Sequence, residues 1–190
     1  MGTDNYKKHT SGNPLKRFFI RNFFNILLSQ IKNLKIESVL DVGCGEGFTL
    51  NKLKENNIGK KHEGVDYAKE AIVIGSKLYP KLNLHQGNIY DLKYKDNSFD
   101  LVICSEVLEH LENPQKALKE LARVSKKYLV LSVPNEPFFY LFNYTQWGKD
   151  IGHINKWTSR EFKKLVNKQR KIKILKAKTP FPWTMILAKI

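Results

Sequence analysis

Val39 to Leu53 reads VLDVGCGEGFTLNKL: a short apolar run ends in three alternating glycines and passes directly into a segment with helical spacing. In an open α/β sheet, a strand–turn–helix junction of this kind marks the ligand crevice outside the strands' carboxyl ends. Gly43, Gly45 and Gly47 let a ligand approach the backbone and permit turn dihedrals closed to other residues. The spacing is G-x-G-x-G rather than G-x-G-x-x-G, and Phe48 stands where a dinucleotide fingerprint needs open helix–strand packing. Asp41, just ahead of the loop, would oppose a pyrophosphate but suits a ligand ammonium. Asp66 closes the next apolar run, in EGVDYA, where a carboxylate accepts hydrogen bonds from ribose hydroxyls. The pattern describes a site for a nucleoside that carries a cationic amine and no phosphate.

Working outward, strands and helices alternate. An amphipathic helix is expected from Pro14 to about Leu34, with Phe19, Phe23, Leu27, Ile31 and Leu34 at helical spacing. After SVLDVG come a helix over Thr49–Asn56, the strand HEGVD, a helix from Lys69 to Leu78 and a strand over Leu82–Gln86. The turn signal KDNS introduces a fourth strand, SFDLVICS. A helix marked by Leu118, Leu121 and Ala122 leads to a fifth, YLVLSV. TSREFKKLVNK opens with a capping-box pattern, Thr158 or Ser159 ahead of Glu161. Two β-like runs, KIKILKA and WTMILAK, close the chain with Pro180 and Pro182 between them. Such alternation predicts a mostly parallel α/β sheet covered on both faces, with the last two strands forming an antiparallel edge hairpin.

The 190 residues suit one well-buried domain, 1–190, with a helical cap region at 1–35 and the sheet-bearing core at 36–190. Cys44 and Cys104 are the only cysteines and both sit in apolar stretches. They form neither a disulfide framework nor a zinc spacing, so a reducing, cytoplasmic setting is expected. The apolar segment PLKRFFIRNFFNILLSQI is interrupted by Lys16, Arg17, Arg21 and Asn22, which argues against a secretion signal or a membrane span. The formal charge of +15 is uneven. Residues 1–35 carry seven Lys/Arg against Asp4, residues 156–190 carry eleven against Glu161, and the middle holds fifteen against sixteen acids. Basic ends of this kind would suit RNA or an anionic lipid surface, although lysine-decorated helix surfaces give the same count. No DNA-recognition motif stands in the chain.

The motifs DVGCGEG, GVD, GNIYDL, NSFDLVICSEVLEHL and LVLSVPN follow one another as they do in the class I S-adenosylmethionine-dependent methyltransferases, and over roughly residues 36–190 the chain resembles the type 11 group of that family. The resemblance implies a Rossmann-like seven-stranded sheet in the order 3-2-1-4-5-7-6, S-adenosyl-L-methionine as cofactor, and methyl transfer as the activity. It further implies that Gly43 to Gly47 line the cofactor's methionine end, that Asp66, followed by Tyr67, holds the ribose, that Asn88 and Ile89 border the adenine, and that Ser105 begins the wall beside the sulfonium. Many relatives carry Asp where GNIYDL has Asn88, so an adenine amino contact would fall to the amide oxygen or to another group.

SEVLEHLENP, Ser105 to Pro114, follows the fourth strand and faces the acceptor side. As a helix it would project Glu106, Glu109 and His110 from one face. His110 is the candidate general base for a hydroxyl acceptor. The E-x-x-E-H pattern resembles the ubiquinone-pathway O-methyltransferases. It also resembles the small-RNA 3′-terminal 2′-O-methyltransferases, where that resemblance implies a divalent ion at Glu106, Glu109, His110 and His153. The first reading assigns no metal and takes a small organic or lipid-like acceptor, methylated at oxygen. RNA methylation with the ion, a non-catalytic scaffold, and peripheral membrane contact through the Phe-rich helix stand as alternatives. The aromatics Phe138, Phe139, Tyr140, Phe142, Tyr144 and Trp147 are expected as a lid over the acceptor or as core beneath a loop.

Overall fold

The computed structural model describes residues 3–136 and 152–190. Two helices, α1 (Asp4–His9) and α2 (Pro14–Ile31), precede β1 (Ser38–Val42), α3 (Phe48–Glu55), β2 (Lys61–Asp66), α4 (Lys69–Leu78), β3 (Asn83–Gln86) and β4 (Phe99–Ser105). A 3-10 turn (Leu108–His110), α5 (Pro114–Val124), β5 (Ser125–Pro134), α6 (Ser159–Asn167), β6 (Lys173–Lys178) and β7 (Trp183–Lys189) follow. The seven strands lie in the order β3-β2-β1-β4-β5-β7-β6, as expected. β1 to β5 are parallel. β7 runs antiparallel between β5 and β6, because the chain from β6 to β7 is too short for the crossover a parallel pair requires.

Burial follows the strand period of two. Leu101 and Ile103 of β4, with Val39 and Val130, face one side of the sheet and meet Phe23, Leu27 and Ile31 of α2. Val102 and Cys104, with Leu40, Val42, Leu129 and Leu131, face the other side under Leu118 and Leu121 of α5 and Phe162 of α6. Leu27 and Ile31 are wholly buried; each contributes about 1.5–3 kcal/mol by that burial. The apolar stripe on α2 therefore has a plain cause: this helix covers the sheet. Asn13 starts it by accepting from the Leu15 and Lys16 amides (2.9 and 3.2 Å), with Pro14 preset in the first turn. It stops at Ile31, short of the expected Leu34. Thr158 closes a capping box with Glu161 at the start of α6. Helix α1 has no periodicity to announce it; Thr3 caps it by accepting from the Tyr6 amide.

The expected helix through SEVLEHLENP does not form. Glu106 donates its amide to the Ser132 carbonyl (3.0 Å), extending the β4–β5 pairing by one residue. It then turns the chain with φ 59, a left-handed conformation that no helix continues. Asn113 must take a non-helical conformation before Pro114 and caps α5 instead. Only the 3-10 turn fits between, so Glu106 does not share a helix face with Glu109 and His110. The six aromatics from Phe138 to Trp147 lie outside the described residues.

Candidate active site

A cavity of about 510 Å³ opens at the carboxyl ends of β1, β2 and β4, with α1 and α2 contributing to its wall. It collects Asp41, Gly43, Gly45, Asp66 and Tyr67 from the first two strand ends. Asn88, Ile89, Ser105, Glu106 and His110 complete the set of sequence-derived candidates at its wall. Gly47 does not line it. That residue caps α3 and faces the Leu82 and Leu84 side chains instead.

The glycine loop is held open by its neighbours. Gly43 and Cys44 donate their amides to the Val65 carbonyl (2.7 and 3.1 Å), and Gly45 donates to Asp66 Oδ2 (2.7 Å). The other Asp66 oxygen accepts from the Ala68 amide (2.8 Å). Gly43 has φ +78, and a Cβ there would lie 2.1 Å from Val107 Cγ2; one on Gly45, at φ +53, would lie 2.5 Å from the Asn5 amide nitrogen. Both positions demand glycine for conformation, and at Gly43 the branched Val107 side chain also denies the space. Asp41 is buried beneath this loop. Burial, and then the neighbouring Asp66 charge, raise its carboxyl to about 7, so a cation beside it would be welcome. Asn88 accepts from the Tyr90 amide through its own Oδ1 (2.9 Å), which leaves the amide nitrogen as its outward donor.

Residues that local motifs did not point to complete the wall. Asn5, Lys8 and His9 of α1 reach the cavity. Asn5 and Thr3 both hydrogen-bond the fully buried Glu46 carboxylate within the glycine loop. His9 stacks on Phe48 at 4.4 Å between ring centroids; burial, and then Lys8, lower its pKa to about 3, so it is neutral. The usable signal was Phe48, an aromatic at the start of α3 with nothing local to pack on. Trp183 also lines the cavity, carried there because antiparallel β7 begins opposite Pro134 at the end of β5. With Phe23 (5.3 Å, edge-on) it makes an apolar side to the site.

At the β4 end of the cavity, Glu106 accepts from Ser132 Oγ (3.0 Å) and burial raises its pKa to about 7. Ser105 Oγ is buried with no hydrogen-bond partner among the described residues. His110 is exposed and donates from Nδ1 to the Gly152 carbonyl (3.1 Å), which leaves Nε2 with its lone pair. The Glu109 carbonyl accepts from the Ile154 and Asn155 amides (2.9 Å each), and this clamp brings His153 to 4.9 Å from the His110 ring. Glu109, His110 and His153 each offer a ligand atom within 4.8 Å of the others. Both Glu109 carboxylate oxygens are buried without a partner among the described residues. Burial, and then Glu106, push that carboxyl well above the usual range. Glu106 is absent from this trio, contrary to the expected four-residue set, because its left-handed turn sends it toward Ser132.

A mostly parallel sheet of this order, with a glycine cradle after its first strand and an acid ending its second, defines a class I nucleoside-cofactor fold. Residues 40–131 match the family model of the methyltransferase domain, type 11. Over these residues the chain is similar to S-adenosylmethionine-dependent methyltransferases. It is 32% identical over 103 residues to a probable S-adenosylmethionine-dependent methyltransferase of Mycobacterium tuberculosis, covering 53% of this chain and 37% of that one. It is 28% identical over 137 residues to the mitochondrial ubiquinone biosynthesis O-methyltransferase of Saccharomyces cerevisiae, covering 68% and 44%. The chain thus spans less than half the length of these curated relatives. A SAM-dependent methyltransferase from Aquifex aeolicus shares the fold with a TM-score of 0.75 at 21% identity, over 99% of each chain.

Proposed function

We propose that this chain transfers a methyl group from S-adenosyl-L-methionine to a small organic or lipid-like acceptor at oxygen. The observation that carries this reading is the cavity itself: two glycines whose Cβ positions are already taken, and two carboxylates, Asp41 and Asp66, at successive strand ends. In this reading Asp41 receives the ammonium of the methionine moiety, the Gly43–Gly45 backbone lies along it, and Asp66 accepts from the ribose. Tyr67, Asn88 and Ile89 border the adenine. Ser105, its hydroxyl without a partner among the described residues, stands beside the sulfur. The cofactor supplies an activated methyl group, and the protein's work is alignment and exclusion of water. His110 takes the acceptor's proton through Nε2, the nitrogen left free by the Gly152 bond. The intact cradle speaks against a non-catalytic scaffold. Two buried free cysteines fit a cytoplasmic setting; among the described residues no helix is long and apolar enough to cross a membrane.

Calorimetry with S-adenosylhomocysteine tests the donor half. Micromolar binding is expected, and none at millimolar ligand would overturn it. Transfer of labelled methyl to fractionated extract then tests the acceptor: label is expected in small organic or lipid fractions, and label in RNA would replace that assignment.

A second reading has one specific observation in its favour. The Glu109 carboxylate, without a partner among the described residues, forms with His110 and His153 a donor set suited to a divalent ion, which would lower the pKa of an acceptor hydroxyl by coordination. His110 Nε2 cannot both ligate and accept the proton. A rise in melting temperature with manganese, and loss of transfer after EDTA, would favour the ion; unchanged values leave His110 as the base.

A further inference from the structure

We propose that the N-terminal half of α2 docks the protein on an anionic membrane surface. Leu15 and Phe18 are 47% and 52% exposed there, although both are large apolar side chains. Phe18 lies in a surface cleft together with Pro14, Arg17 and Arg21, and the Arg21 guanidinium sits over its ring (5.9 Å). Between Asp4 and Glu37 the sequence has no carboxylate, so nothing on this helix neutralises the two arginines. The helix starts at Pro14 with no acid in its first turn, which adds a positive field at the same end. Exposed apolar groups flanked by unneutralised arginine are what an interfacial helix presents to headgroups and acyl chains. An RNA partner would use the charges but has no use for Leu15.

The same helix sends Ile20, Phe23 and Phe24 into the cavity wall. A membrane-docked α2 is therefore one side of the site, and an apolar acceptor reaches the cavity along it. Docking itself does not rest on the methyl-transfer reading; this route for the acceptor does.

Co-sedimentation with vesicles of phosphatidylcholine alone, or with phosphatidylglycerol added, tests the proposal over a range of salt. Binding is expected only with the anionic lipid. Arg17→Gln with Arg21→Gln should weaken it about 30-fold. Leu15→Ser with Phe18→Ser should abolish whatever survives at high salt. Melting curves and S-adenosylhomocysteine affinity of both variants should match the parent, since none of the four residues is buried or lines the cavity. Equal binding to neutral and anionic vesicles, unaltered binding by the Leu15/Phe18 variant, or salt-sensitive binding to RNA without binding to vesicles would each overturn the proposal. Loss of S-adenosylhomocysteine binding with intact vesicle binding would strike only the functional reading.

Discussion

Asp66→Asn separates the two duties assigned to one carboxylate. Its oxygens accept from the Gly45 and Ala68 amides at 2.7 and 2.8 Å, so it shapes the glycine loop as well as facing the cavity. A net value of about 1.5–3 kcal/mol applies to a hydrogen bond to a charged group. Asparagine keeps one oxygen and turns an NH₂ toward one of these N–H donors, so one bond to the loop is lost. The ribose contact loses its charge as well. Because Asp66 is half-buried rather than sealed from water, the low end of both ranges applies, giving about 3–4 kcal/mol. At about 1.36 kcal/mol per decade this weakens S-adenosylhomocysteine roughly 100- to 1,000-fold. Titration calorimetry measures it directly, and a dissociation constant within threefold of the parent would refute the reasoning. The substitution has a second consequence. Asp66 is a named cause of the raised Asp41 pKa, after burial; with that charge gone, Asp41 ionises at lower pH while staying above the ordinary carboxylate range.

Asp41 sets a pH dependence of its own. In the fold it keeps its proton up to about pH 7, whereas the unfolded chain releases it near 3.8. The ligand-free protein therefore loses stability from this group as pH rises across that window. A ligand ammonium selects the ionised form. Cofactor affinity should thus fall as pH drops below about 7, by at most about tenfold per unit, with proton release on binding, visible by calorimetry in buffers of different ionisation enthalpy. Gly43→Ala places a Cβ in the left-handed region, at a cost of about 1–2 kcal/mol, and drives it into Val107. S-adenosylhomocysteine binding should weaken at least about tenfold by the same conversion, and adding Val107→Ala should recover part of it; no recovery would show that strain, not the clash, dominates. Arg123 donates to both Glu120 oxygens, to Asp96, and to the Leu92 and Tyr94 carbonyls. Arg123→Ala should lower stability by about 2–3 kcal/mol. Its melting temperature should fall by about 4–12 °C; Arg123→Lys should restore little, because an ammonium cannot span that fork.

What could be read from the sequence was whatever the chain encodes locally. Alternation of elements predicted the mostly parallel sheet and its edge hairpin, while the strand order came from the family resemblance. The glycine loop, Asp41 and Asp66 sit within 26 positions along the chain, and each strand end carries its cavity-lining acid with it. Helix α1 could not be read, because six residues carry no amphipathic period; its place is fixed by Thr3 and Asn5 meeting Glu46, more than forty positions away. Trp183 was visible as a strand residue but not as a cavity residue, since its position depends on which end of antiparallel β7 meets the end of β5. SEVLEHLENP misled for a local reason. Its spacing is helical, yet Glu106 spends its amide on the neighbouring strand and Pro114 forbids helix just before it, and neither constraint shows in the periodicity.

That division has a chemical logic. The donor side is built from backbone that the parallel sheet places almost automatically: loop amides, strand-end carboxylates and glycines needing space. These are the parts that recur wherever the sheet does, so short motifs report them. The side proposed for the acceptor is assembled from α1, α2, the turn after β4, the 152–155 segment and the start of β7, elements that meet only after the sheet has closed. Glu106 shows the difference within one residue. Its amide completes the β4–β5 ladder, a fold property, and the left-handed turn there brings its carboxylate to Ser132, a site property. A substitution that relaxes the turn therefore tests whether the acceptor side is set by the sheet. Glu106→Gly removes the strain and the carboxylate together, whereas Glu106→Gln keeps the strain and removes only the charge. If the sheet sets the geometry, both should retain S-adenosylhomocysteine binding within threefold, and methyl transfer should fall in both. Loss of cofactor binding in Glu106→Gln would mean that the two halves of the cavity are not independent.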